Sequence, residues 1–122
     1  SELNITIKIK GEGKMGCCHV KNQCLVIRLP KEIDHYQAEK VRMECEQSFM
    51  KFIIRDIIFD FSDTSFMDSS GIGVIMGRYK LIKTRGGNVT VTNINNAIDR
   101  ILTISGLYKI VDKTETSSLA EF

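Results

Sequence analysis

Much familiar chemistry is missing from this 122-residue chain. It has no C-x-x-C pair, no G-x-x-x-x-G-K-[ST] phosphate loop, and no apolar run near the ~18 residues that a membrane span needs. The formal charge is only +2, from 17 basic and 15 acidic residues, and no basic stretch is interleaved with aromatics. That balance argues against nucleic acid or a membrane surface as partner. The four cysteines, Cys17, Cys18, Cys24 and Cys45, lack the density of a secreted disulfide framework. A zinc site built from Cys17, Cys18 and His19 would have no second ligand pair. With no signal peptide visible, a reducing cytoplasm is the expected location.

Catalytic signatures are absent too. A nucleophile elbow G-x-S-x-G needs a glycine two residues before its serine. Met67 stands there for Ser69, and Asp68 for Ser70. The only two histidines, His19 and His35, both precede those serines, against the usual order of that fold. Gly71-x-Gly73-x-x-Met76 fails the dinucleotide fingerprint. We therefore expect no enzyme activity, no metal and no cofactor.

What is present reads as one globular domain, with 43% hydrophobic and 26% charged residues. Residues 3–9 alternate apolar and polar, as a half-buried strand does, before Gly11 and Gly13 break the pattern. The stretch 1–14 is thus an N-terminal extension, an added strand or a tag remnant, ahead of a single domain over 15–122. Residues 17–21 and 24–29 read as a hairpin turning at Asn22-Gln23. Ile33-Asp34-x-x-Gln37 resembles a capping box, opening a helix whose Ala38, Val41, Cys45 and Phe49 share one face and which ends near Lys51. Residues 55–61 are β-branched and aromatic, a buried strand. A helix over 72–84 follows, with Ile72, Ile75, Met76, Tyr79 and Ile82 on one stripe. The basic residues Arg78, Lys80, Lys83 and Arg85 suit a solvated face near that helix's negative end. Gly86-Gly87 stops the helix, residues 88–92 form a strand, and a third helix turns Ile98, Ile101, Leu102 and Ser105 inward before Gly106. A last strand is expected at Ile110-Val111, and a terminal helix within 114–122. The sum is an α/β domain with a mixed sheet of four or five strands, and its middle βαβ unit should cross over right-handedly.

The chain is organised around residues 59–73, which run from a strand through a polar loop into a helix. Asp68, Ser69 and Ser70 stand at that helix's N-terminus, where unpaired N–H groups and the dipole favour an anion or a phosphorylated hydroxyl. Read from position alone, Asp34, Asp68, Ser69 and Ser70 are also ordinary capping residues. Gly71 and Gly73 permit close approach of the backbone, to the sheet or to a partner. Ile72 lies on the core stripe, whereas Val74 lies off it.

In its stretch Ser65-Phe-Met-Asp-Ser-Ser-Gly-Ile-Gly-Val-Ile-Met-Gly-Arg-Tyr-Lys80 the sequence resembles the STAS domain family, the sulfate transporter and anti-sigma factor antagonist fold. Within it the likeness is strongest to the sporulation branch, the anti-sigma F factor antagonists of endospore formers. Residues 32–35, 83–87 and 105–110 agree with the same family. The resemblance implies a STAS fold with helices packed mainly on one face of the sheet. It also implies a partner switch in transcription regulation. The unmodified protein binds an anti-sigma factor that is also a serine kinase and frees the sigma factor; phosphorylation of Ser69 ends binding, and a serine phosphatase reverses it. The partner surface so implied comprises Glu32, Asp34, His35, Asp68, Ser69, Ser70, Gly71, Ile72 and Val74. Alternative readings are a general-stress antagonist, a nucleotide-binding module or a scaffold of the same fold.

Overall fold

The computed structural model describes residues 5–8 and 17–115. Its order is β1 (Ile5–Lys8), β2 (Cys17–Lys21), β3 (Cys24–Arg28), β4 (Glu32–Ile33), α1 (His35–Lys51), β5 (Asp56–Asp60), β6 (Phe66–Met67), α2 (Ser69–Lys83), β7 (Val89–Thr92), α3 (Asn96–Ile104), a 3-10 turn (Leu107–Lys109) and β8 (Asp112–Thr114). One mixed sheet runs β1-β2-β3-β5-β7-β8. β1, β2 and β3 are antiparallel neighbours; β3, β5, β7 and β8 are parallel. From residue 17 onward the main sheet has the five strands expected at most, and Ile5–Lys8 adds a sixth at the antiparallel edge.

Local chemistry explains most boundaries. Asn22 and Gln23 both take positive φ, 54° and 66°, the two left-handed residues of a tight hairpin turn. At the end of α2, Gly86 has φ 77°, Gly86 N donates to Lys83 O and Gly87 N to Ile82 O, both at 3.1 Å. Those are the two bonds of a Schellman stop. Gly87 has a second reason to be glycine: a Cβ there would run into the backbone carbonyl oxygen of Arg55. α2 thus hands the chain to β7 hard against the start of β5.

Alternation decides the layers. Leu25 and Ile27, Ile57 and Phe59, and Val89 and Val91 share one core with Ala38, Val41 and Cys45 of α1, Ile75 and Ile82 of α2, and Ile98 and Leu102 of α3. On the other face Cys24, Val26 and Ile58 form a separate small buried cluster. Burial pushes the thiols of Cys24 and Cys45 up to about 12, so both behave as small inert hydrophobes.

Three details of these elements differ from the sequence reading. Ser105 is exposed, not inward; Leu107 and Val111 are the buried core residues that follow it. The last strand falls at Asp112–Thr114 and not at Ile110-Val111, because Gly106 at φ 81° opens a 3-10 turn that delays the return to the sheet. α2 begins at Ser69, one turn sooner than the apolar stripe indicates, because its first turn is polar. The terminal helix expected within 114–122 lies mostly outside the described residues, as do residues 1–4 and 9–16.

The Gly87–Arg55 approach makes a stability prediction. Gly87→Ala is expected to cost about 1–3 kcal/mol or more, since the obstacle is backbone and cannot rotate away. Thermal melts should show a drop of several degrees in Tm; an unchanged midpoint would mean that the β5–β7 junction yields freely.

Candidate functional site

Two loops leave the carboxyl ends of β3 and β5, and a second, two-stranded sheet ties them together. β4 and β6 run parallel, with Glu32 opposite Phe66 and Ile33 opposite Met67. Ser65 N donates to Lys31 O at 2.8 Å and Asp68 N to Ile33 O at 3.1 Å, while Thr64 Oγ1 donates to Pro30 O at 2.8 Å. Pleating turns Ile33 and Met67 into the core and leaves Glu32 and Phe66 exposed.

One residue after each short strand, a helix starts. Asp34 caps α1 and Asp68 caps α2, with nearly the same backbone: φ −96°, ψ −172° and φ −99°, ψ −171°. Asp34 Oδ1 accepts from Gln37 N at 2.9 Å, and Asp68 Oδ1 accepts from Ser70 N at 2.8 Å. The other half of the expected capping box is not made, since Gln37 Oε1 has no partner. Two positive helix ends therefore sit side by side, each already facing one carboxylate.

The nine residues expected at a partner surface separate by burial. Glu32, Asp34, His35 and Ser69 are exposed, and Asp68 and Ser70 are half-buried. Ser69 is the first residue of α2, and its hydroxyl makes no hydrogen bond among the described residues. Ile72 and Val74 both lie half-buried against the core. Gly71 is buried. A Cβ there would sit 2.6 Å from Met67 Sδ and 3.2 Å from Ile33 Cγ2, so its closeness is to this chain's own ladder. Gly73 has open space where its Cβ would be. His35, Ser70, Gly73 and Val74 line an open groove of about 310 Å³ between α1 and α2, with Arg42 and Arg78 further along. Arg42 is tied to Glu39 and Glu46 of its own helix, and its hydrogen bond holds the Glu39 carboxyl below the usual range.

Two exposed aromatics at this end escaped the sequence reading. Tyr36 is 62% exposed in the first turn of α1, and Phe66 is 49% exposed on β6, three residues before Ser69. Phe66 stands in what reads from sequence as a polar loop, and nothing in its spacing assigns it a face. Only the two-residue ladder, which turns its neighbour Met67 inward, puts it outside.

A mixed sheet with two aligned, Asp-capped helix ends has clear relatives. The STAS domain model matches residues 18–120. The chain belongs to the STAS family. It is 39% identical over 99 residues to the anti-sigma F factor antagonist of Paenibacillus polymyxa, covering 80% of this chain and 85% of that one. To the anti-sigma-B factor antagonist of Bacillus subtilis it is 33% identical over 90 residues, covering 70% of this chain and 77% of that one. Among solved structures it is similar to the anti-sigma factor antagonist SpoIIAA in its unphosphorylated form, with TM-score 0.72, 28% identity, and coverage of 82% and 85% of the two chains. The Bacillus cell fate determinant SpoIIAA in its phosphorylated form matches with TM-score 0.65 at the same 28% identity, covering 82% of this chain and 88% of that one. Among the described residues of this STAS chain, no helix is long and apolar enough to cross a membrane.

The two glycines of α2's first turns give a paired prediction. Gly71→Ala should destabilise by about 1–3 kcal/mol, because Met67 and Ile33 must move. Gly73→Ala should stabilise by roughly 0.5–1 kcal/mol, the ordinary gain in a helix with open space outside. Denaturant titrations of both variants check this; equal effects would contradict the placement of Gly71 against the ladder.

Proposed function

We propose that this STAS chain is an anti-sigma factor antagonist, and that it binds an anti-sigma factor with serine kinase activity at the paired helix ends. Phosphorylation of Ser69 by that partner switches binding off, and a serine phosphatase restores it. The observation that carries this reading is the state of Ser69: exposed, its hydroxyl unbonded among the described residues, and first in a capped helix beside the Glu32–His35 loop. The likeness to antagonists of anti-sigma F, and to a relative solved with and without phosphate, supports it.

The chemistry of the switch follows from that position. In the transfer, Ser69 Oγ forms a bond to the γ-phosphorus of ATP as the bond to the ADP oxygen breaks, and the hydroxyl proton passes to the kinase's base. The product adds about −1.5 to −2 charges at pH 7. Within this chain the helix end offsets part of that charge, by order 0.3–1 kcal/mol. A partner lying flat on the same surface would have to desolvate the dianion next to Asp68, with Glu32 and Asp34 close by on the neighbouring loop. The fold is expected to tolerate the phosphate; the complex is not.

The likeness to the anti-sigma-B factor antagonist keeps a general-stress pathway as a second reading. Both readings share the switch and differ in the kinase that the chain captures.

Titration calorimetry with the purified anti-sigma kinase tests the proposal. Ser69→Ala should bind as the native chain does and take up no phosphate. Ser69→Asp should lose at least tenfold in affinity while its Tm stays near the native value. Full binding by Ser69→Asp, or native phosphate uptake by Ser69→Ala, would refute the assignment. Phe66→Ala should weaken binding by roughly fivefold or more as a lost apolar anchor, with little change in stability because the ring is half exposed. Unchanged affinity would move the contact surface away from β6.

A further inference from the structure

The switch proposed above makes no use of the most unusual side chain in the core. Glu44 sits in the middle of α1 and is only 2% exposed. Its Oε1 accepts from Cys18 Sγ of β2 at 3.1 Å, while Oε2 is enclosed and has no partner. One turn further along, Ser48 is 1% exposed, and its hydroxyl is likewise enclosed and without a partner.

Few charged groups act on this carboxyl. Among the described residues, Lys40, one turn earlier on α1, is the one cation whose charge reaches it, and its influence is weaker than that of burial or of the Cys18 thiol. Arg78 of α2 acts on the neighbouring Cys45 and not on Glu44. The β3 and β5 residues in the core shared with α1, including Leu25, Ile27 and Ile57, are apolar. A carboxylate enclosed without a counter-ion is costly, so the neutral acid is favoured there. Burial pushes the Glu44 carboxyl up to about 7, with Cys18 and Lys40 opposing in part.

We propose that Glu44 is a proton-gated latch between α1 and β2. As the neutral acid it keeps α1 seated on the sheet. On losing its proton to solvent it loosens that seat, and with it the Asp34–His35 corner at the start of the same helix. The effect on partner binding rests on the docking reading given above; the latch itself does not.

The sign is fixed by linkage. Glutamate ordinarily titrates near 4.5, so between that value and about 7 the folded chain holds a proton that the unfolded chain has released. Stability contributed by this site falls as pH rises through that window and levels off above it. Glu44→Gln keeps the shape and removes the proton. The Tm of the variant minus that of the native chain should rise by roughly 5 °C or more between pH 5 and pH 7.5 and then stay constant. A difference that does not change with pH would overturn the latch. A carbon NMR titration of the native Glu44 carboxyl, which needs no variant, should give a midpoint near 7; a midpoint near 4.5 would overturn it as well. In calorimetry with the anti-sigma kinase, native affinity should fall between pH 6 and pH 8 more than that of Glu44→Gln. Parallel falls would remove the link to binding, and absence of binding at every pH would count against the docking reading while the melts still judge the latch.

Discussion

The arrangement at the functional end depends on one small interaction, the parallel pairing of Glu32-Ile33 with Phe66-Met67. Each strand is two residues long, and each continues directly into an Asp-capped helix. Because the pairing fixes register, it also fixes the relative height of the two helix N-termini. Two loops that otherwise share only the main sheet become one surface. Thr64 reinforces the tie from the side chain: it donates to Pro30 O, and its own carbonyl accepts from Asn95, the cap of α3. All three helix starts are therefore bonded to the same few residues.

That pairing also explains which parts of the site could be read in advance. Asp34 and Asp68 are legible as caps because an aspartate before an apolar-periodic run has few other tasks. Ser69 is legible through the D-S-S-G stretch that carries the family resemblance. The ladder is not legible, because two residues contain no period. Phe66 is lost with it: its exposure follows from pairing and not from its type. The same logic applies to Gly71, whose buried contact with Met67 depends on where β6 places that methionine.

Elsewhere the hydrophobic period was sufficient. The apolar stripe of α1 at Ala38, Val41 and Cys45 and the alternation of residues 88–92 both mark side chains that the structure buries in one core, since both patterns follow from side-chain direction alone. The reading fails where backbone conformation outweighs pattern. Gly106 delays the last strand by inserting a turn, although Ile110-Val111 is the more strand-like pair. Glu44 shows the other kind of failure. A helix pattern marks its position as inward, but its residue type argues for solvent, and only the packed structure resolves the conflict in favour of burial.

The first turn of α2 places opposite demands within three residues. Ser69 is exposed, whereas Gly71 is pressed against Met67 with no room for a methyl group. A phosphate at Ser69 therefore grows away from the core, and the tight side of the turn gives it no route inward. In the switch proposed above, refolding would not be needed to break a complex, because charge and bulk would arrive directly on the proposed docking face. The buried side packs the turn against Met67 and Ile33, and in the proposed switch that packing would present the hydroxyl at one position to the kinase. A looser contact at Gly71 would leave Ser69 just as exposed and less precisely placed. In this reading the glycine matters to the switch without meeting the partner.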